Sequence, residues 1–545
     1  MRLILKDYLL QLREKDELDL LLCDLLLQMG YITDTRPKTG NRQYGVDIRA
    51  HDSKEIFLCV VKQGNIDRNI WDSGPNSVRQ SLNEILDVYI EFIRKDLEGK
   101  KIHIVVTSNG VIEEATRINW DLYKKDLTSW KGVPLKIEFW DIDELVVLIQ
   151  KHLLNERIFD EEKQGLMRKA LYFIGENDYH RIFYESIIDS FLNAIKPDDS
   201  SKKQEKELAG LYLASQMIAH YASEANRCKI SILATEYLII RYWKFLLANQ
   251  LFEKPKYIRW LHKFLTAYEK WNEKYYIATK DCAEGAGRFP FYNAVEQKIL
   301  LYEVLEFWTT YTYWLSFTGE YSQPARDKSR EVYNSIVGLL NNYPQIYYPP
   351  YDRNIGVICA IYRLFIRQGR GCDSQAVIQQ FCNITAHNFI LNKKYPAPDD
   401  NFESAVNIEL GLPVPQYQCS AFWGVMMELL VLSSQKELYQ TLQSFLENDL
   451  ADVTKCIWFL RSEEELAFYD PLAMNKAGEG VALDPESTFE KLENTMNFIW
   501  SQYADEIFSY EKYSFEALEF MVCQYYGYIP RICLEKGIGL NQRNV

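Results

Sequence analysis

Gly45-Val46-Asp47-Ile48-Arg49, followed closely by Ile56-Phe57-Leu58-Cys59-Val60-Val61-Lys62-Gln63, reads as two neighbouring β-strands. Residues two apart in a strand share a face. Val46, Ile48 and Ala50 therefore point one way, and Asp47 and Arg49 the other. Val60 and Lys62 share a face in the second strand, with Val61 opposite. The pair of strands brings a carboxylate and an ammonium to adjacent strand ends in an apolar setting. Two readings compete: a salt bridge at a sheet edge, or a site that uses both charges chemically.

Around this pair the pattern is that of an α/β domain. Leu18, Leu21, Leu22, Leu25, Leu26 and Met29 recur at helical spacing and predict a helix over 13–29, ended by Gly30. Residues 1–12 form a separate helical arm. After a strand at Tyr31–Thr33 comes a polar loop with Arg36, Lys38 and Arg42, then the two strands above. A helix is predicted over about 77–95, a strand over 102–107, a helix over 112–124 and a strand over 135–140. Asp141 or Asp143 caps a last helix to about Leu154. The expected fold is a mixed sheet with helices on both faces, spanning residues 13–156.

From about Glu161 strand signals vanish and long helical patterns follow one another without a fixed repeat period. The expectation is a large all-α region of irregular helical-repeat type. The Pro-rich break at Tyr348–Tyr351 divides it into subdomains 160–347 and 348–545.

Composition bounds the functional classes. The 545 residues carry a net charge of −14, against a generally basic nucleic-acid coat. The first 152 residues are nearly balanced, so any nucleic-acid contact is expected there, as a local groove. The 11 cysteines are scattered, with no CxxC pair, as in reduced thiols rather than a disulfide framework. The chain start has no signal-peptide pattern and no apolar run reaches membrane-spanning length, so the expectation is a soluble, cytoplasmic protein without membrane contact. The seven histidines show no zinc-ligand spacing and no GxxxxGK[ST] occurs. The aromatic run Phe307–Trp314, which in principle could stack bases, has the helical spacing of a core.

Read as chemistry, Asp47 is a candidate ligand for Mg²⁺ or Mn²⁺, hard cations that take carboxylate and carbonyl oxygens. Lys62 is a candidate for stabilising negative charge on a transition state. Glu17 is placed to reach the metal or Lys62. Arg36, Lys38, Arg42 and Arg49 are candidate phosphate contacts.

The order of these pieces resembles a known family. Glu17, the Leu-rich helix ending at Gly30-Tyr31, Tyr44-Gly45-Val46-Asp47-Ile48, the apolar strand ending in Lys62, Val105–Gly110 leading into Glu114-Ala115, and Ile137–Leu145 are together similar to the Mrr-type restriction endonuclease domain of the PD-(D/E)XK nuclease superfamily. The resemblance covers about a quarter of the chain. It implies a restriction-endonuclease-like fold and a Mg²⁺-dependent endodeoxyribonuclease. Such a protein would be an effector of a prokaryotic restriction or anti-phage defence system, regulated through a protein partner or self-association of the helical region. The family places Glu, Asp or Gln two residues before the lysine, where this chain has Val60. Glu17 or Gln63 would then complete the catalytic set with Asp47 and Lys62. The alternative is a nuclease fold that has lost catalysis and acts as a nucleic-acid- or protein-binding sensor or scaffold.

Overall fold

The computed structural model describes residues 2–35, 44–97, 99–125, 127–153, 158–176, 180–196, 198–285, 293–399, 401–412, 418–474, 477–483, 487–503 and 507–530. The chain divides into two units, Met1–Arg227 and Cys228–Val545. The division falls after Arg227, so the four helices that follow the sheet up to that point belong to the first unit.

In the first unit, β1 (Ile32–Thr35), β2 (Ile48–His51) and β3 (Glu55–Lys62) form an antiparallel meander. β4 (Lys101–Ser108) and β6 (Val133–Trp140) then add in parallel, and the two-residue β5 (Ser129–Trp130) closes the edge, giving the order β1-β2-β3-β4-β6-β5. The central strands β3 and β4 are covered on both faces, which is why they read as unbroken apolar runs.

Ile56, Leu58 and Val60 of β3 join Ile102, Ile104 and Val106 of β4 in one core. It is sealed by α3 (Arg68–Asp72), α4 (Val78–Glu84), α5 (Ile90–Phe92) and α6 (Glu114–Lys124). Trp71 and Trp120 meet edge to face there, 6.1 Å apart. A π-turn at Ile85–Tyr89 joins α4 to α5 within the single helix predicted for this stretch. On the other face Phe57 stacks on His103 at 4.7 Å. His103 is buried and hydrogen-bonded between Glu138 (2.9 Å) and Glu55 (3.2 Å). That histidine, with Lys136, draws the Glu138 carboxyl down to about 2.

The N-terminal arm is α1 (Arg2–Leu9), and α7 (Ile142–His152) is capped by Asp141 as predicted. The helix expected over 13–29 is shorter: α2 spans Asp19–Gln28. Glu14–Leu18 form a π-turn instead, broken by extended Lys15 (φ −96°, ψ 143°) and left-handed Asp16 (φ 64°, ψ 5°). The unit ends with α8 (Glu161–Tyr172), α9 (Ile182–Ala194) and the 24-residue α10 (Ser201–Glu224).

The second unit is mainly helical. It begins with the long helices α11 (Cys228–Ala248), α12 (Pro255–Thr279), α13 (Ala294–Gly319) and α14 (Gln323–Asn342). Phe307, Trp308, Tyr311, Tyr313 and Trp314 of α13 are buried, so this aromatic run is core. The expectation of no strands beyond residue 160 is corrected. Cys419–Ser420, Thr454–Phe459 and Glu479–Leu483 make a three-stranded mixed sheet. Cys372 and Cys419 are exposed, whereas Cys282, Cys359, Cys382 and Cys523 are buried as expected. Among the described residues no helix is long and apolar enough to cross a membrane.

Glu428 is fully buried in the helix Ala421–Leu432, and burial pushes its carboxyl up to about 8. A carboxyl raised on folding contributes stability that is complete below its unfolded value and is lost as pH rises through the folded value. Unfolding midpoints measured between pH 6 and pH 9.5 should therefore fall more steeply for the wild-type chain than for Glu428→Gln. Parallel curves would exclude this origin.

Candidate functional site

The site is built where β2 begins and β3 ends. The chain enters β2 through Gly45, whose φ is +81° and whose missing Cβ would lie 2.2 Å from the Ser81 carbonyl oxygen. Only glycine satisfies both the left-handed backbone and that approach. The next turn of chain sets Asp47 against β3. Its amide donates to the Cys59 carbonyl (2.9 Å), and its Oδ2 accepts from the Val61 amide (2.8 Å). Lys62, the last residue of β3, follows directly and pairs in register with Ser108 of β4.

Burial raises the Asp47 carboxyl. The Val61 amide, Lys62 and Lys15 act against that rise, while Glu14 adds to it. Asp47 is thus a desolvated carboxylate held by one amide and faced by two lysines. It is more than an exposed edge salt bridge, because the Val61 hydrogen bond fixes its position.

The turn after Lys62 is held from below. Asn109, almost fully buried, accepts from the Gly64 amide through Oδ1 (2.8 Å). Its Nδ2 donates to the carbonyls of Leu9 and Leu12 (both 2.9 Å). Gly110 lies against the Gly64 backbone, where a Cβ would come within 2.3 Å. One side chain therefore ties the Lys62 turn to the segment entering Glu14. Ser108-Asn109-Gly110 is visible in the sequence as a strand stop, but its role depends on two long-range carbonyls.

Of the residues singled out in the sequence, Asp47 and Lys62 come together. Glu17 does not join them in a bonded set. Its carboxylate accepts from the Arg13 amide (2.8 Å) and Arg13 Nε (2.7 Å), and pairs with Lys206 of α10 (3.0 Å). Burial alone would raise Glu17, but the Arg13 amide, Lys206 and the Arg13 guanidinium together hold it below the usual carboxylate range. The π-turn breaks the chain at Lys15–Asp16, and the charges of Glu14 and Lys15 are felt at Asp47. Glu14 was not distinguishable in the sequence, because a regular helix over this stretch would have presented Glu17.

Val60 is fully buried in the helix-facing core and offers no donor atom. Gln63 follows β3, half-buried. Arg49 of β2 is ion-paired with Asp96 (3.0 Å), so its guanidinium serves the fold. Arg36, Lys38 and Arg42 lie outside the described residues.

The donor set can be tested against a divalent cation. Among the described residues no group of three or more His, Cys, Asp and Glu side chains stands together as a metal cage. One carboxylate, Asp47, stands at the site, and the charge of Glu14 is felt there without a shared ligand geometry. A single hard oxygen donor is compatible with Mg²⁺ or Mn²⁺, which bind through one or two carboxylates and keep several waters, and does not suit a structural zinc site, which needs four close ligands. Comparison with family models, curated proteins and solved structures found no match to this chain.

Proposed function

We propose that the first unit is a metal-dependent endodeoxyribonuclease of the PD-(D/E)XK type, and that the chain acts as a nuclease effector in prokaryotic defence. The observation that carries this reading is the Asp47–Val61 hydrogen bond, which joins a desolvated carboxylate to the strand position next to Lys62. The order of elements supports it: helix, three-stranded meander, crossover helices, then a parallel strand, as the resemblance implies.

Asp47 would hold a divalent cation, which when bound supplies Lewis acidity toward a phosphodiester and lowers the pKa of an attacking water. Lys62 places positive charge beside that carboxylate, where an oxyanion would develop. The desolvated surroundings strengthen both effects. Supercoiled plasmid should be nicked by the purified chain with Mg²⁺ or Mn²⁺, and chelation by EDTA should stop it. Equal nicking with and without EDTA would overturn the metal-dependent reading.

Val60 favours a second reading, a nuclease fold without catalysis that serves as a nucleic-acid or protein sensor. A buried valine stands where an acid or amide is expected, and Glu17 is already engaged by Arg13 and Lys206. Calorimetric titration with Mn²⁺ separates the readings. Heat of binding in the wild-type chain supports the nuclease. Its absence from both the wild-type chain and Val60→Glu supports the sensor.

A further inference from the structure

Beside the candidate site, on the other side of the Glu14–Leu18 turn, lies a cleft of about 390 Å³ between Arg13 and the first turns of α10. Arg13, Lys202, Lys203 and Lys206 line it together with two acids, Glu17 and Glu207. Both acids are already engaged: Glu17 by Arg13 and Lys206, and Glu207 by the buried Lys163 at 3.4 Å. Lys202 and Lys203 are exposed at the rim, the latter also bonded to Asp199. With Arg13 and Lys206 shared with Glu17, the exposed Lys202 and Lys203 carry the cationic rim of this concave surface, on a chain whose net charge is −14.

The same turn serves both places. Arg13 and Glu17 face the cleft, and Glu14 and Lys15 act on Asp47. A second cavity of about 490 Å³ shares Glu17 and Lys206 with this cleft and adds the acids Asp16, Asp24, Asp160 and Glu161. The balance of charge there is acidic, so a polyanion is favoured on the side of Lys202 and Lys203.

We propose that the Arg13–Lys202–Lys203–Lys206 cleft is the track for the sugar-phosphate backbone of a nucleic acid and leads it to Asp47. The identity of the polymer rests on the nuclease reading, whereas the location of the anion track does not. Contacts of lysine with phosphate carry no sequence information but displace counterions, so each removed contact lowers the salt dependence of binding.

The test uses the full chain and a fluorescein-labelled mixed-sequence DNA duplex, with EDTA present to prevent cleavage. Lys202→Gln/Lys203→Gln should weaken binding about tenfold at low salt and lower the slope of log K against log salt by about two. Both lysines are exposed, so the melting temperature should stay unchanged.

Wild-type affinity and slope in the double variant would overturn the track even if the chain cleaves DNA. Lysine-dependent binding by a chain that never cleaves would sustain the track and remove the nuclease reading instead. Displacement of the duplex by poly-glutamate at equal charge concentration would overturn the nucleic-acid assignment in favour of an acidic protein partner.

Discussion

Asp47→Asn is expected to reduce plasmid nicking on the order of 10²–10⁴-fold, the scale on which a positioned acid-base or metal-binding group acts. Lys62→Met should cost about 10²–10³-fold, as for loss of one donor to a developing oxyanion. The two losses should not add, since both side chains serve the same charge at neighbouring strand positions.

Stability provides an independent readout. Burial raises the Asp47 carboxyl, so its contribution to stability is present below the unfolded value and lost as pH rises through the folded one. Asn keeps an oxygen for the Val61 amide without the charge. The variant should therefore melt above the wild type at pH 8, and the gap should close towards pH 3. Inactive variants that melt lower at every pH would point to misfolding, and active ones would remove Asp47 from the site.

The second large effect concerns the second unit. Arg363 Nη1 donates to Glu519 Oε2 at 2.8 Å, with both side chains buried, and the guanidinium lies over the Phe520 ring at 4.8 Å. Taking away one member leaves a charge in a low-dielectric interior without its counter-ion, which costs about 3–5 kcal/mol. Arg363→Met should thus lower the urea midpoint of the second unit sharply. Arg363→Met/Glu519→Leu should recover most of the loss, because a well-packed apolar pair can match a buried ion pair. Arg367, half-exposed and paired with Glu516, is the control: Arg367→Met should cost no more than about 1 kcal/mol. If the double variant is as unstable as the single one, the penalty belongs to packing on Phe520 rather than to the orphaned Glu519.

The strands of the first unit were legible because β3, β4 and β6 are apolar runs of strand length bounded by turn residues. α7 was legible because Asp141 caps it. What escaped was set by distant contacts. The sequence Glu14-Lys15-Asp16-Glu17-Leu18 has ordinary helix formers throughout, yet Arg13 and Lys206 draw Glu17 away and Asp16 turns left-handed. No local propensity reports a partner nearly 190 residues on.

The small sheet of the second unit escaped for a related reason. Cys419–Ser420 is too short to show alternation, and the register of Lys455–Phe459 against Glu479–Leu483 joins segments about twenty residues apart. For the candidate site, the placing of Asp47 beside the end of β3 was readable from strand spacing. The nearness of the Glu14 charge was not, since it depends on one backbone break at Lys15–Asp16.

The parallel pairing of β3 with β4 and of β4 with β6 also has a kinetic meaning. Leu58 meets Ile104 and Ile104 meets Ile137, contacts between residues more than thirty positions apart that must close before the central sheet gains its core. Loop closure of this kind slows folding, whereas neighbouring helices such as α11–α12 and α13–α14 close over short connections. β3 gains its parallel partner only once residue 108 has been made, and β4 its second one only at residue 140. Asp47 and Lys62 belong to the antiparallel β2–β3 pair, which closes over a short loop, so the candidate charges can approach before the parallel strands add.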